Sequence, residues 1–270
     1  MELSVTRGTC ARDASASERA EVVWHDLECG SYRADLPLWR ELAARHPGPI
    51  LDIGAGTGRV ALELARAGHS VTALEREPVL LDALRSRPGA EAVHAVCADA
   101  RDFRLPERKF ALCLVPMQTI QLLSGASDRA RFLGRARATL RRGGLLACAV
   151  LARVQSFACA AGEAGPAPET ALIDGLLYTS LPTRVALGRT GVVIERERRI
   201  LALAERGADQ AIAASRGPQP RVERSVVRLA RLSPRELQRE GTAAGLRVEP
   251  VRKVAATEDH TGSTVVMLRA

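Results

Sequence analysis

The run "ILDIGAGTGRVALELARAGHSVTALERE", residues 50–77, constrains the fold more than any other part of the chain. An apolar segment at 49–53 ends in Gly54-Ala55-Gly56-Thr57-Gly58, a helical pattern covers about 58–67, and a second apolar segment at 70–74 closes on Glu75. The alternation continues with apolar segments at 91–97, 109–115 and 144–151 and helical patterns at 78–86 and 127–141. Strands alternating with helices imply a parallel sheet with both faces covered. "LRRGGLL" (140–146) reads as a helix end, a glycine turn and a buried strand.

The glycines narrow the choice of ligand. A dinucleotide fold uses G-x-G-x-x-G/A, where the third small residue lets helix and strand pack closely. Arg59 stands in that position here, so the pattern is G-x-G-x-G. A phosphate-binding loop ends in Gly-Lys-Ser/Thr, and no lysine is near. Glu75 follows Gly54 by 21 residues, and "VCADARDF" (96–103) places Asp99 after the third apolar segment. A carboxylate can accept hydrogen bonds from vicinal hydroxyls or from an exocyclic amine. Each acid also has a plain structural reading, as a turn cap for Asp52 or Asp99 and a solvated strand end for Glu75.

In these motifs the chain resembles the class I S-adenosylmethionine-dependent methyltransferases of the small-molecule type, over roughly 48–152 and 232–270. The resemblance implies a Rossmann-like α/β fold, a seven-stranded, mostly parallel sheet flanked by helices. It also implies S-adenosyl-L-methionine as cofactor. "LDIGAGTGR" (51–59) matches the glycine-rich first motif, which assigns Gly54, Ala55, Gly56, Thr57 and Gly58 to the methionine part, with Asp52 at its sulfonium or amino end. Glu75 takes the ribose hydroxyls and Asp99 the adenine amine by the same resemblance; Arg76, Ala100, Val115 and Met117, beside these strand ends, complete the cofactor set.

The remaining chain divides around this core (48–152 and 232–270). Residues 1–20 read as a loose, polar lead-in, and 21–47 as helical, so that 1–47 forms an N-terminal helical cap. Within it Leu36, Leu38, Trp39, Leu42 and Ala43 share one helix face, with Asp35 as cap and Pro37 in the first turn. Residues 171–231 read as a β-rich lid inserted between core halves, with strands at 176–187, 192–203 and 222–232. "LSPRELQREGTAAGL" (232–246) is a helix capped by Ser233, and strands at 246–254 and 263–269 end the chain.

Composition bounds the partners. The chain is 46% apolar but 3% aromatic, so Ala, Val and Leu fill the core. It has neither a membrane-spanning run nor the apolar stretch of a secretion signal, which points to a cytoplasmic protein. Cys97, Cys113 and Cys148 lie in apolar segments as small hydrophobes, and no cysteine or histidine spacing suits a metal. Of 39 basic residues only Lys109 and Lys253 are lysines, the mark of GC-rich codon usage, so the net charge of +8 is weak support for nucleic acid. Twelve arginines face five acids between 184 and 235. Arg196 and Arg198 share one strand face, and Arg224 and Arg228 another. If such a face lines a pocket, an anionic acceptor follows; otherwise it is solvated.

The reading that results is methyl transfer to an N or O atom of a small-molecule metabolite, anionic if the arginines face it and plausibly of secondary metabolism. In the resembled family the loop after the fourth strand approaches the methyl; here it is "LVPMQTIQLL" (114–123). Val115-Pro116-Met117-Gln118 departs from the Asn/Asp-Pro-Pro-Tyr/Phe used on adenine and glutamine amides. Candidates for a base are His25 and His260, with Tyr32, Gln118 and Gln121 as positioning groups. The alternatives are an RNA methyltransferase using the Arg-rich insertion and a cofactor-binding module without chemistry. Oligomeric state is open, a homodimer included.

Overall fold

The computed structural model describes residues 7–105, 109–151, 154–159, 166–203, 219–257 and 260–270, and of residues 7–14 the backbone alone. The opening helix, α1 (Arg7–His25), runs into a π turn at Asp26–Gly30, and α2 (Leu36–Arg45) follows. The core then alternates β1 (Ile50–Ile53), α3 (Arg59–Arg66), β2 (Val71–Glu75), α4 (Pro78–Arg85), β3 (Val93–Cys97), β4 (Phe110–Val115), α5 (Ala126–Thr139) and β5 (Leu140–Leu151). The short β6 (Phe157–Ala158) precedes β7 (Glu169–Ile173), β8 (Leu176–Leu187), β9 (Gly191–Ala202) and β10 (Arg221–Ala230). The chain ends with α6 (Pro234–Ala243), β11 (Arg247–Val254) and β12 (Ser263–Arg269).

The seven-stranded sheet has the order β11-β12-β5-β4-β1-β2-β3, parallel through its centre, with β12 antiparallel to both neighbours. Apolar side chains alternate between its faces. Ile50, Leu112, Leu114 and Ala147 pack with α2 and α3, while Leu51, Ile53, Cys113 and Leu146 pack with α5 and α6. All five residues expected on the buried face of α2 lie in the core. The capping box of α6 forms between Ser233 and Glu236.

Four expectations change. Residues from Arg7 are helical rather than a loose lead-in, because Ala20, Val23 and Trp24 find Tyr178 of β8 to pack on. Asp35 makes no capping bond to α2; its carboxylate is taken by Arg59. Cys97 is exposed, since β3 is an edge strand of the sheet. The insertion also gains β7, paired antiparallel with β8. Its residues 204–218, like the core boundary at 152, lie outside the described residues. No helix among the described residues is long and apolar enough to cross a membrane.

Candidate functional site

Parallel strands bring Asp52, Gly54, Glu75, Asp99 and Val115 to one edge of the sheet, the carboxyl edge, where β1 and β2 run in register from Ile50↔Val71 to Ile53↔Leu74. Ligands in open α/β sheets bind at that edge. Three glycines of the turn have left-handed φ, +71 at Gly54, +55 at Gly56 and +94 at Gly58. Two are also spatially obligatory. A Cβ on Gly54 would lie 2.4 Å from Thr119 Cγ2, and one on Gly56 would lie 2.4 Å from both Cε1 and Nε2 of His25.

Asp52 is buried at the end of β1, and neither carboxylate oxygen has a partner. Burial raises its pKa to about 7, only partly opposed by the Arg59 cation and the Ala61 N–H. An unpaired buried carboxylate is costly, and such groups mark functional positions. Glu75 is well bonded instead. Its Oε2 accepts Gly56 N–H at 2.8 Å, and its Oε1 accepts Arg76 N–H at 2.7 Å and Glu77 N–H at 3.0 Å. A carboxylate has about four acceptor positions, so one stays open without rearrangement. A second ribose hydroxyl requires displacement of one of these N–H donors.

Asp99 is held by Arg101, whose Nε and Nη2 donate at 2.9 and 2.6 Å and whose N–H donates at 2.7 Å. The guanidinium keeps the carboxyl down at about 2. Asp99 is thus a turn cap in the structure, with an acceptor position to spare. Ala100 packs at the edge of the apolar cluster beside it. The Arg76 side chain extends outward to Glu77. Val115 is buried, and Met117 adopts a left-handed φ of +53 in the loop that follows.

The N-terminal segment lies directly on the glycine turn. His25 covers Gly56, and Thr57 Oγ1 donates to Asp26 Oδ1 at 2.6 Å while standing 3.4 Å from His25 Nδ1. Asp26 Oδ2 takes Arg87, so three chain segments meet on one carboxylate. Arg59 completes the junction. Almost fully buried, it makes two hydrogen bonds to Asp35, at 2.6 and 2.8 Å, and one to the Tyr32 carbonyl at 2.8 Å. The sequence pattern marked Arg59 only as a misfit to the dinucleotide motif; its role of tying cap to core had no local signal.

The other candidates separate. Tyr32 is buried, its hydroxyl has no partner among the described residues, it stacks on His260 at 4.8 Å, and burial raises its phenol pKa. Gln121 is buried, its Nε2 donating to Ala230 O at 3.0 Å and its Oε1 accepting from Leu151 N–H at 2.8 Å, so its amide ties the loop to β10 and β5. Gln118 sits half-buried before the turn at Thr119–Leu122. Arg198 makes paired hydrogen bonds to Glu28, at 2.8 and 2.9 Å, and lies 5.5 Å over Trp24; Arg196 bonds Glu169 at 2.8 Å. Arg198 therefore holds the lid on the cap, whereas Arg196 pairs within the lid sheet, and neither arginine is solvated or a free anion site. Arg224 and Arg228 are exposed.

A cavity of about 380 Å³ opens between cap and lid. Val23, Leu27, Ala171 and Ile173 form its apolar wall, and Asp26, Ser31, Glu169 and Thr170 its polar one. Among the described residues no cationic side chain is part of this lining, though Arg87 and Arg196 bond its two carboxylates.

The comparisons with known proteins agree with this geometry. A family model described as "Methyltransferase domain" matches residues 50–144. The malonyl-[acyl-carrier protein] O-methyltransferase of Serratia marcescens is 30% identical over 131 residues, 46% of this chain and 49% of that one. The matched segment thus spans about half of that curated relative. Among solved structures, an amino pentose methyltransferase of calicheamicin biosynthesis from Micromonospora echinaspora, with S-adenosylmethionine bound, aligns with TM-score 0.66. Its identity is 16%, with 100% of this chain and 99% of that one covered. A sugar N-methyltransferase from a Streptoalloteichus species aligns with TM-score 0.65 at 19% identity, covering 93% of each. The methyltransferase CcbJ from Streptomyces caelestis aligns with TM-score 0.61 at 20% identity, covering 89% and 97%. Residues 50–144 match a methyltransferase domain, and the chain has the fold of solved S-adenosylmethionine-dependent methyltransferases.

Proposed function

We propose that this protein moves a methyl group from S-adenosyl-L-methionine to a nitrogen of a small, polar, amine-bearing acceptor. The observation that carries the reading is Asp52, a buried carboxylate with both oxygens free beneath a turn whose glycines leave no room for a side chain. A cationic sulfonium or ammonium is what such a group lacks. The donor's methionine part belongs on this reading with Asp52 and Gly54 to Gly58, its ribose with Glu75 and Arg76, and its adenine with Asp99 and Ala100. Val115 and Met117 flank the methyl end. When bound, S-adenosylmethionine supplies a methyl group already activated by the sulfonium charge.

The chain then has to place a nucleophile and remove its proton. The cap–lid cavity suits a small polar acceptor, since its wall offers the hydroxyls of Ser31 and Thr170 beside two carboxylates, each of which already holds an arginine. That the solved neighbours include methyltransferases of an amino pentose and of a sugar nitrogen supports the same class. His25 is the better base, because it covers the glycine turn and its neighbour Asp26 lines the cavity. His260 stacks instead on Tyr32, and that pair, with Gln118, serves in positioning. The cytoplasm is the compartment proposed.

Titration calorimetry with S-adenosylmethionine tests the donor. The expected result is micromolar-range binding, weakened by about 1–3 kcal/mol in Glu75→Ala as charge-assisted hydrogen bonds go. Absence of measurable heat with the unaltered protein would overturn the proposal, and an unchanged affinity in the variant would remove Glu75 from the donor site.

A further inference from the structure

We infer that Thr57 and Asp26 fix the protonation of His25, holding the hydrogen on Nδ1 and leaving Nε2 as the basic nitrogen. The function of this arrangement rests on the methyltransferase reading above; the arrangement itself does not.

The argument starts from the Thr57 hydroxyl. It has one hydrogen to give, and that hydrogen goes to Asp26 Oδ1, 2.6 Å away. Toward His25 Nδ1, at 3.4 Å, the same oxygen can therefore only accept. Asp26 Oδ1 itself lies 3.9 Å from that nitrogen, so a lone pair on Nδ1 would face two oxygens and no donor. A hydrogen on Nδ1 satisfies the contact. Which ring nitrogen of a neutral imidazole is protonated follows from the bond made by the other, and here the constraint falls on Nδ1.

The carboxylate is not free to turn away from this duty. Arg87, entering from the segment after α4, holds Oδ2. Burial opposes the ionised form of Asp26, but the hydrogen bonds from His25 and Thr57 and the charge of Arg87 outweigh it and hold the carboxyl below its ordinary range. The π turn at Asp26–Gly30 sends Asp26 to the glycine turn while Glu28, two residues on, reaches Arg198 of the lid. Widened turns of this kind recur where a helix must re-aim a side chain at a functional site.

The result at the other end of the ring is a lone pair on Nε2, on the edge that faces Gly56. In the proposed reaction Nε2 takes a proton from the acceptor's ammonium form. The electron pair of that N–H bond stays on the acceptor nitrogen as its nucleophilic pair, and Nδ1 keeps its hydrogen. The imidazolium formed has its new charge beside Asp26, and the proton passes later to water. Thr57 and Asp26 are thus positioning residues, acting on the acceptor only through His25.

Long-range ¹H–¹⁵N correlation on the protein labelled at histidine reads the tautomer directly, with His25→Gln used to identify the signal among five histidines. The expected neutral form has its hydrogen on Nδ1. Thr57→Val, nearly the same shape, should reduce the fraction with hydrogen on Nδ1, since only Asp26 Oδ1 then faces that nitrogen, and Thr57→Ser should keep the unaltered preference. Asp26→Asn provides a second variant if the valine protein does not fold, and should lose the strong Nδ1 preference as well. A neutral form protonated on Nε2 in the unaltered protein, or a tautomer indifferent to both substitutions, overturns the inference. The measurement is made without cofactor, so failure to bind S-adenosylmethionine would sink the functional reading and leave this result standing.

Discussion

The glycine cradle and the seam between cap and lid are held by different kinds of bond. In the cradle, backbone N–H groups meet a carboxylate from the next strand: Gly56 donates to Glu75, 19 residues away. In the seam, side chains meet across the whole chain, and Arg198 reaches Glu28 over 170 residues. The first arrangement is set once a parallel strand pair forms, because register alone aligns Gly54 with the end of β2. The second exists only after the lid sheet, the π turn and α1 have docked. A local sequence pattern can therefore report the cradle, while the seam is a property of the assembled fold.

Arg59 joins the two regions, and removing it should have the largest effect. Arg59→Met leaves Asp35 buried without its partner, since its side chain is only 3% exposed. Breaking a buried pair in this way costs about 3–5 kcal/mol. Denaturant unfolding should show a loss of that order, whereas Asp35→Asn with Arg59→Met should recover part of it. A loss within about 0.5 kcal/mol would mean that the cap is not anchored through this pair.

The same division explains what could be read in advance. The strand limits 176–187 and 263–269 were legible because apolar runs end there at turn residues, and β8 and β12 keep those bounds. Helix α1 was not, since "ARDASASERA" shows no apolar stripe and becomes helical against Tyr178 of a sheet more than 150 residues later. Asp52, Glu75 and Asp99 were legible as strand-end acids. That Asp99 is gripped by Arg101, that Arg198 reaches Glu28 of the cap, or that Arg196 pairs with Glu169 inside the lid depends on side-chain partners that spacing does not encode. Asp35 shows the limit most sharply: a residue in a capping position serves an ion pair instead.

Within the cradle, Asp52 offers a test by pH. Its folded pKa, about 7, lies above the ordinary 3.8, so between those values the folded protein holds a proton that the unfolded chain releases. Stability attached to this group is therefore full below about pH 4 and declines as pH rises toward 7. Asp52→Asn cannot titrate. Melting temperatures of the two proteins without ligand should diverge across that window, with the variant gaining relative stability toward pH 7 by at most about 4 kcal/mol. Parallel curves would place Asp52 in contact with water or a donor, and the cradle would lose its unpaired carboxylate.

The seam should respond less, and in a different place. Glu28 accepts from Arg198 Nε and Nη2 and from Ser180 Oγ, and its side chain is 10% exposed against 20% for Arg198. Glu28→Gln keeps the shape and one acceptor but removes the charge, which should cost about 1–2 kcal/mol. Because the cradle shares none of these bonds, the loss should appear as faster amide exchange in β8 and β9 with the β1–β2 pair unchanged. Combining it with Arg198→Met should cost less than the sum of the two, since each alone leaves the other's charge without its partner. Equal loosening of β1 and β2 would mean that cap, lid and cradle open as one unit, and the distinction between a backbone-built donor site and a side-chain-built acceptor site would fail.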